Sequence, residues 1–257
     1  MKGGGSRRRR GRGGHALDLT VGGPHAVQAA LEHGEDVERV FIEANTTGPR
    51  IDWIREAAAR KGVPVSTIGR AECDRLCGTR AQGVAAKTRF RYADFDDLLT
   101  AEPGLMLVLD GVEDPQNLGA IIRTAEAAGC LGVVIPPRRS AQITAAVVRA
   151  SAGAALYLPI AQPVNLSAAL QKAREAGFWT IGLDHRAERL LAAAKPGERT
   201  ALVIGGEGRG LARLVRETCD DLARIPMTGA VESLNASAAA AVAIYRIRAS
   251  SLFGSAC

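Results

Sequence analysis

Long apolar runs and a secretory signal are both lacking in this sequence. No stretch approaches the roughly 18 consecutive apolar residues needed to cross a bilayer, and the nearest candidate, ASAAAAVAIY at 236–245, is short and mostly alanine. The arginines near the start are followed by HALDLTVGG rather than by the apolar segment of a signal peptide. These features argue against a membrane-spanning protein and predict a cytoplasmic location without a membrane partner.

Cysteines are few, and their number is odd. Five cysteines in a chain of 257 residues favour reduced thiols over a disulfide framework. Cys73 and Cys77 have the spacing C-x3-C, but no second pair of ligands lies nearby. A structural zinc site normally needs four such ligands. We therefore expect two half-buried thiols at these positions and no metal in the protein.

The excess positive charge is concentrated in a single segment. The chain carries 33 Lys and Arg against 27 Asp and Glu, and the opening MKGGGSRRRRGR holds six of the cations and no acid. The net charge of +6 therefore comes entirely from this segment. Gly, Ser and Arg cannot form a core, so residues 1–20 are predicted to be a disordered tail. Such a tail suits a polyanion such as RNA or DNA, although a solubility tail or a translation-start artefact is an open alternative.

The first half of the chain predicts a small α/β domain at 21–92. GGPHAVQAALEHG is typical of a helix that Pro24 opens and Gly34 closes, and the strand-like ERVFIEA follows it. Helical and strand-like segments then alternate as far as GVAAKTRF, which indicates a compact module. The acidic segment that follows, with Asp94, Asp96 and Asp97, predicts a solvated linker at 93–104.

From residue 105 to 257 the apolar signal is stronger. Six almost continuously apolar segments, LMLVLD, GVVI, ALYLPI, FWTIGLD, ALVIG and LARIP, alternate with helical segments. This pattern predicts a parallel sheet covered on both faces. Ligands of such sheets bind at the carboxyl ends of the strands, so the loops that follow the strands are the candidate functional positions.

The loop after LMLVLD opens a helix. Pro115 ends the strand, Asn117 is a candidate helix cap, and Leu118, Ile121, Ile122 and Ala125 form a buried stripe. Arg123 lies off that stripe and four residues after Gly119, so its side chain can lie across the glycine towards the helix start. The alternative is an ordinary arginine that faces solvent.

Two later loops are equally distinctive. LVIGGEGRGL has neither the glycine spacing of a Rossmann loop nor the G-K-[ST] of a Walker loop. Its exposed main chain can bind a flat uncharged ring such as adenine, and the alternative is a tight strand-to-helix turn. In IPMTGAVESLNASAAAA, Ser233 and Asn235 lie where a helix begins. Capping explains the serine without any chemistry, but it explains Asn235 less well.

In this order, N-x-G-x-x-x-R (Asn117, Gly119, Arg123), GGEGRGL and IPMTGAVESLNASAAAA resemble the three motifs of the SpoU/TrmH family of RNA ribose 2′-O-methyltransferases. The resemblance implies an α/β SPOUT fold, a parallel sheet with a C-terminal trefoil knot, from about residue 105 onwards. The preceding module, from GGPHAVQAAL to AQGVAAK, resembles the family's small α/β substrate-binding domain, which is related to ribosomal proteins. Within the family the chain is most similar to enzymes that methylate guanosine in 23S rRNA.

The resemblance also implies a cofactor and site residues. S-adenosyl-L-methionine is the expected methyl donor, and a homodimer that binds 23S rRNA, or alternatively tRNA, is the expected assembly. The expected catalytic residues are Arg123, Asn117, Glu207, Ser233 and Asn235. The expected cofactor-binding residues are Gly205, Gly206, Glu207, Gly208, Ile225, Met227, Leu234 and Asn235. A non-catalytic rRNA-binding protein is the alternative from another functional class.

One position departs from the family pattern. Many relatives have a histidine before the Gln-Gly of the first domain, whereas this chain has Ala81 before Gln82 and Gly83. Any RNA contact made by that histidine is absent from this chain, and the arginine-rich tail is a candidate to replace it.

Overall fold

The computed structural model describes residues 16–33, 36–78, 81–231 and 233–253. The arginine-rich segment up to residue 15, which the sequence predicts to be a disordered tail, lies outside the described residues. The described chain contains two sheets, one in each half.

The first half is built on a mixed four-stranded sheet in the order β1-β4-β2-β3. β4 runs antiparallel to β1 and β2, whereas β2 and β3 are parallel. Its elements are β1 (Ala16–Gly22), α1 (Pro24–His33), β2 (Val37–Glu43), α2 (Pro49–Arg60), β3 (Val65–Ile68), α3 (Arg70–Cys77) and β4 (Val84–Arg91).

Residues 16–20 correct one predicted boundary. These residues are predicted to belong to the disordered tail, but they form most of β1, which pairs with β4 from Ala16 opposite Arg91 to Gly22 opposite Ala85. Leu17 and Leu19 pack against the hydrophobic core. The local sequence does not indicate this strand, because charged residues precede it and the strand that stabilises it lies more than sixty residues away.

The predicted linker at 93–104 is also partly wrong. It contains the helix α4 (Phe95–Leu99), whose amino end is capped by the carboxylate of Asp94 through the backbone N–H of Asp96 at 3.1 Å. Leu98 and Leu99 are buried in a core cluster with residues of the second sheet. The aspartates remain on the surface, so the acidic pattern indicates a half-exposed helix rather than a solvated connection.

The second half has a six-stranded sheet in the order β10-β8-β9-β5-β6-β7, and every pairing in it is parallel. The predicted parallel sheet is therefore confirmed. Its elements are β5 (Leu105–Asp110), α5 (Pro115–Ala127), β6 (Gly132–Val134), α6 (Ala145–Ala150), β7 (Ile160–Ala161), α7 (Leu166–Glu175), β8 (Trp179–Leu183), β9 (Thr200–Gly205), α8 (Arg213–Thr218), β10 (Asp221–Ala223) and α9 (Ala236–Phe253).

One of the six predicted strands is much shorter than expected. In ALYLPI a 3-10 turn occupies Ala154–Leu156, and the strand β7 covers only Ile160–Ala161. The apolar residues are buried in the turn, which explains the strand-like signal. Burial without a regular alternation of apolar and polar residues does not distinguish a 3-10 turn from a β-strand.

The strand order reverses beside β5. The chain first builds outwards from β5 to β6 and β7, and β9 later returns to pair with the other side of β5. The loops that follow β5 and β9 are therefore neighbours at the carboxyl edge, where parallel sheets bind ligands. The trefoil knot implied by the family resemblance stays a prediction.

The two halves share one hydrophobic core. A single cluster joins Val21 and Val27 of the first half to Leu105 and Leu107 of the second. At the junction α1 lies so close to the turn after α6 that a Cβ at Gly153 would be 2.5 Å from the Cβ of Ala29. The two domains thus pack directly against each other. None of the described helices is long and apolar enough to cross a membrane.

Candidate active site

The glycine loop after β9 is held against the loop after β5 by main-chain contacts. The N–H of Gly206 donates to the carbonyl of Asp110 at 2.8 Å. A Cβ on Gly206 would lie 1.9 Å from the carbonyl oxygen of Gly111, so no other residue fits there without displacing a backbone. This close approach requires glycine, and it aligns the first and second motifs side by side.

The side chain of Asp110 anchors the other end of the glycine loop, at Ala212. Its carboxylate accepts the backbone N–H of Ala212 at 2.6 Å. Burial raises the pKa of Asp110, and the hydrogen bond from Ala212 partly opposes that shift. The loop between these two anchors therefore has both ends fixed to the strand end of β5.

The helix α5 begins differently from the prediction. Asp114, not Asn117, is its cap: the carboxylate accepts the backbone N–H groups of Gln116 and Asn117 at 3.0 and 3.3 Å. The predicted cap at Asn117 is therefore wrong. Because Asp114 satisfies the helix end, the buried side chain of Asn117 is available for other contacts.

Those contacts join all three motifs. Nδ2 of Asn117 donates to Oε1 of Glu207 at 2.6 Å. Nδ2 of Asn235 donates to Oδ1 of Asn117 at 2.9 Å and to the same Oε1 of Glu207 at 3.2 Å. We call these three side chains the polar network. Two amides thus orient one carboxylate at the carboxyl edge of the sheet.

Asn235 has a second role as the cap of α9. Its Oδ1 accepts the N–H of Ser237 at 2.8 Å, the hydroxyl of Ser237 at 2.6 Å and the N–H of Ala238 at 3.3 Å. The sequence favours Ser233 as the cap, but in the structure Asn235 provides it. One side chain therefore both starts the last helix and completes the polar network.

A cavity of about 280 Å³ adjoins the polar network. The glycine loop and the segments on either side of α9's start form its wall, and Ile225, Met227 and Leu234 supply an apolar side. Of the predicted site residues, those that line it are Gly205, Gly206, Glu207, Gly208, Ile225, Met227, Ser233 and Leu234. Asn117 and Asn235 reach this wall through their hydrogen bonds to Glu207.

Arg123 is placed apart from these residues. The predicted contact across Gly119 is wrong, because a Cβ at Gly119 would lie 2.4 Å from the Cβ of Ala150, so α6 fills that surface. Arg123 is exposed, and its guanidinium has no polar partner among the described residues. The structure of a single chain therefore brings together Asn117, Glu207 and Asn235 but not Arg123.

The cavity also contains residues that the sequence analysis missed. Leu183 ends β8, Asp184 and His185 follow it, and Arg224 follows β10. Burial alone would raise the pKa of Asp184, but hydrogen bonds from Arg186 and Arg216 lower it to about 2. β8 pairs with β9 and β10 pairs with β8, so the position of these residues at the ends of strands was the available signal.

No group of three His, Cys, Asp or Glu side chains that could hold a metal occurs among the described residues. Cys73 is buried and Cys77 is half-buried. Burial raises the pKa of Cys77 to about 11, with the nearby Cys73 adding to the shift. Both side chains are packing residues of a small cluster beside β4.

Comparisons with known proteins decide the family. The model of the SpoU rRNA methylase family matches residues 104–245, and the model described as RNA 2′-O ribose methyltransferase substrate binding matches residues 20–92. The chain belongs to the SpoU family. A TrmH family tRNA/rRNA methyltransferase of Staphylococcus haemolyticus is 38% identical over 239 residues, which cover 90% of this chain and 95% of that protein.

Two solved SpoU relatives share the whole two-domain arrangement. The SpoU methyltransferase AviRb from Streptomyces viridochromogenes, in complex with the cofactor AdoMet, is 25% identical with a TM-score of 0.80, over 92% of this chain and 91% of that chain. An AdoMet-bound rRNA methyltransferase from Sinorhizobium meliloti is 25% identical with a TM-score of 0.79, over 90% of this chain and 87% of that chain. The SPOUT fold and its preceding domain are thus those of SpoU enzymes.

The cavity has the features that a SpoU cofactor needs. Gly208 and Gly210 have open space where a side chain would stand, which leaves main-chain groups accessible. The apolar wall suits a thioether chain or an adenine face, and the main-chain donors and acceptors suit the edge of a base. The residues present therefore fit S-adenosylmethionine.

Ala81, which precedes Gln82 and Gly83, is fully buried. It packs in a cluster with Cys73 and Ala85, and its N–H donates to the carboxylate of Asp74 at 2.7 Å. A side chain at this position points into packing rather than to the surface. In the same domain, Nη1 of Arg50 donates to Nε2 of the exposed His25 at 2.7 Å, which places a basic pair on the surface.

Proposed function

We propose that this protein transfers a methyl group from S-adenosylmethionine to a ribose 2′-hydroxyl of RNA, most specifically to a guanosine of 23S rRNA. The observation that carries the proposal is the polar network, which joins Asn117, Glu207 and Asn235 from three separate motifs beside a cavity that fits the cofactor.

The cofactor would lie in the cavity described above. Main-chain groups of the glycine loop would bind its polar atoms, and Ile225, Met227 and Leu234 would pack against its apolar parts. S-adenosylmethionine supplies a methyl group already activated by its sulfonium charge. The protein's task is therefore mainly to position the ribose, whose 2′-hydroxyl proton is released to water as the methyl group is transferred.

Glu207 is the group best placed to orient the ribose. Its Oε1 accepts both amide hydrogen bonds of the polar network, while Oε2 has no partner among the described residues. We infer that Oε2 accepts a hydrogen bond from a ribose hydroxyl. Ser233, which lines the same cavity, would hold the loop and the ribose together with Asn235.

Arg123 would act on the same ribose from a different direction. A guanidinium stays protonated, so it is suited to pairing with a phosphate and to stabilising the developing charge on the 2′-oxygen rather than to removing a proton. Since Arg123 is exposed in the single chain, a homodimer that brings it to a partner's cavity would complete the site. The dimer predicted from the family resemblance remains part of this proposal.

The substrate assignment rests on the relatives. The Sinorhizobium meliloti structure that covers both domains is described as an rRNA methyltransferase, and the first domain matches a substrate-binding model. The Staphylococcus haemolyticus relative carries the broader description tRNA/rRNA methyltransferase. We therefore place rRNA first and tRNA guanosine methylation second.

Mapping of 2′-O-methyl groups tests the proposal. Ribosomal RNA and tRNA from cells with and without the gene are compared, and the purified protein is then incubated with labelled S-adenosylmethionine and each unmodified RNA. We expect one ribose methyl group in 23S rRNA to disappear without the gene and to return in vitro. A missing methyl group in tRNA would support the second substrate, and unchanged RNA in both classes would contradict the proposal.

A further inference from the structure

The loop after β6 carries two neighbouring cations. Residues 136–141, PPRRSA, contain Arg138 and Arg139, and we call this segment the arginine loop. Both side chains are exposed, and neither has a hydrogen-bond or ion-pair partner among the described residues. Neither belongs to the three motifs or lines the cavity.

The loop is firmly held in place. The N–H of Ala141 and the hydroxyl of Ser140 donate to the carbonyl of Val112 at 2.8 and 3.2 Å. Nε2 of Gln142 donates to the carbonyls of Pro136 and Ser140 at 3.1 and 3.0 Å, which closes the loop on itself. The backbone under the two arginines is therefore fixed, so little ordering is needed when their side chains bind a ligand.

The loop also lies next to the site. β6, β5 and β9 are consecutive in the sheet, so the loops at their carboxyl ends lie side by side. The carbonyl of Arg139 is 3.7 Å from where a Cβ of Gly111 would stand, and Gly111 in turn contacts Gly206 of the cavity wall. Two strand spacings of roughly 4.8 Å each separate the ends of β6 and β9.

Arg139 has a φ of 56°, an uncommon conformation for a residue other than glycine. This backbone is maintained within a loop that is held to the carbonyl of Val112 after β5 and to itself through Gln142. The side chains of Arg138 and Arg139 are exposed to solvent rather than buried in the core.

We propose that Arg138 and Arg139 bind backbone phosphates of the RNA beside the ribose that is methylated. This inference rests on the proposed function. A ribose held at the polar network continues into phosphates on both sides, and the side towards β6 meets two unpaired guanidinium groups. Arginine binds phosphate through paired hydrogen bonds, so the arginine loop would be a positioning element that fixes the strand without reading its sequence.

The experiment measures binding of a 23S rRNA transcript and steady-state methylation of it by Arg138→Gln, Arg139→Gln and the double variant. Glutamine removes the charge and leaves the backbone preference at position 139 nearly unchanged. We expect the double variant to raise KM for the transcript about tenfold, with kcat within threefold of wild type. Each lost phosphate contact should reduce the slope of log affinity against log salt concentration by about one.

Lys195→Gln is the matched control. Lys195 is an exposed cation in the connection before β9, two residues before Gly197, which lies beside Trp179 at the amino end of β8. If it weakens transcript binding as much as Arg138→Gln does, the effect is one of net charge, and the inference is overturned. Unchanged KM and salt slope in the double variant would overturn it as well.

Failure of the two proposals can be distinguished. If wild type methylates neither rRNA nor tRNA, the proposed function fails, whatever the variants bind. If wild type methylates the transcript and the variants do so with wild-type KM, only the inference about the arginine loop fails. S-adenosylmethionine binding by each variant verifies that the fold is intact.

Discussion

The side-chain amide of Asn235 donates to Oδ1 of Asn117 at 2.9 Å, although 118 residues of chain separate the two. The same Asn235 caps α9 through its own Oδ1. The position of the last helix and the geometry of the polar network are therefore set by a single side chain.

Substitutions at Asn235 should separate these two roles. Asn235→Asp keeps an oxygen for the N–H groups of Ser237 and Ala238 but loses the donor to Asn117 and Glu207. We expect its melting temperature to stay within a few degrees of wild type while methyl transfer falls at least tenfold. Asn235→Ala loses the cap as well, and it should also lose about 1 kcal/mol of unfolding free energy.

Thermal unfolding and single-turnover methylation of both variants measure these effects. If Asn235→Asp methylates at the wild-type rate, the amide donor has no part in the reaction. If the two variants are equally stable, the capping role is wrong.

Glu207 should tolerate a change of charge better than a loss of its oxygen. Glu207→Ala leaves the two amide donors of Asn117 and Asn235 without their acceptor, and an unsatisfied polar group costs about 1–3 kcal/mol. We expect kcat to fall by one to two orders of magnitude. Glu207→Gln keeps an oxygen for the two amides but turns an NH2 group towards the ribose, so kcat should fall less than in Glu207→Ala, by about tenfold. Turnover lost equally in both variants would show that the oxygen facing the ribose, rather than the polar network, decides the rate.

Gly206 and Gly208 form a matched pair of loop substitutions. Gly206→Ala would place a Cβ 1.9 Å from the carbonyl of Gly111, so the loop must move and cofactor binding should weaken by more than tenfold. Gly208→Ala meets open space and pays only for its φ of 78°, roughly 1 kcal/mol. Calorimetric titration with S-adenosylmethionine compares them, and equal affinities would contradict the described contact.

Asp184 should make the free energy of unfolding depend on pH. Hydrogen bonds from Arg186 and Arg216 outweigh burial and lower the pKa of Asp184 to about 2, from an ordinary 3.8. An acid with a lowered pKa stabilises the fold above its unfolded pKa and loses that contribution as pH falls. Asp184→Asn should therefore cost roughly 2 kcal/mol at pH 7, and the difference from wild type should shrink below about pH 4.

Urea unfolding of wild type and Asp184→Asn between pH 7 and pH 2 measures that difference, because the contribution is lost between the unfolded pKa of 3.8 and the folded pKa of about 2. A gap that stays constant over this range would mean that the carboxylate acts through its shape and hydrogen bonds, and not through its charge.

Arg123→Ala should separate cofactor binding from chemistry. Because Arg123 is exposed and lies outside the cavity, S-adenosylmethionine affinity should remain within twofold of wild type. Methyl transfer should be nearly abolished if Arg123 stabilises the reacting oxygen. Turnover within a few-fold of wild type would contradict that role, and sedimentation showing a monomer at micromolar concentration would contradict its delivery by a partner subunit.

The parallel sheet was predictable because its strands are nearly continuous apolar segments, and burial on both faces leaves that pattern in the sequence. β1 was not predictable in the same way. Its residues are only partly buried, and its partner β4 lies far along the chain. Local composition therefore does not indicate such a pairing.

The candidate site was likewise only partly predictable from the sequence. Positions at strand ends pointed to Gly206 and Glu207, and resemblance to a family pointed to Asn117 and Asn235. Which asparagine caps a helix could not be predicted, since Asp114 competes with Asn117 for the same N–H groups and only the geometry decides between them. The surface beside Gly119 was likewise predicted to be free, although α6, a separate segment of chain, occupies it.

The continuous core between the two halves has a consequence for target selection. Because α1 packs directly on the turn at Gly153, the distance from the basic pair His25 and Arg50 to the polar network is a constant of the fold. An RNA that touches both places must present a contact surface and a reactive ribose at that separation. Folded RNAs differ in this spacing, so a fixed distance would favour those whose shape matches it.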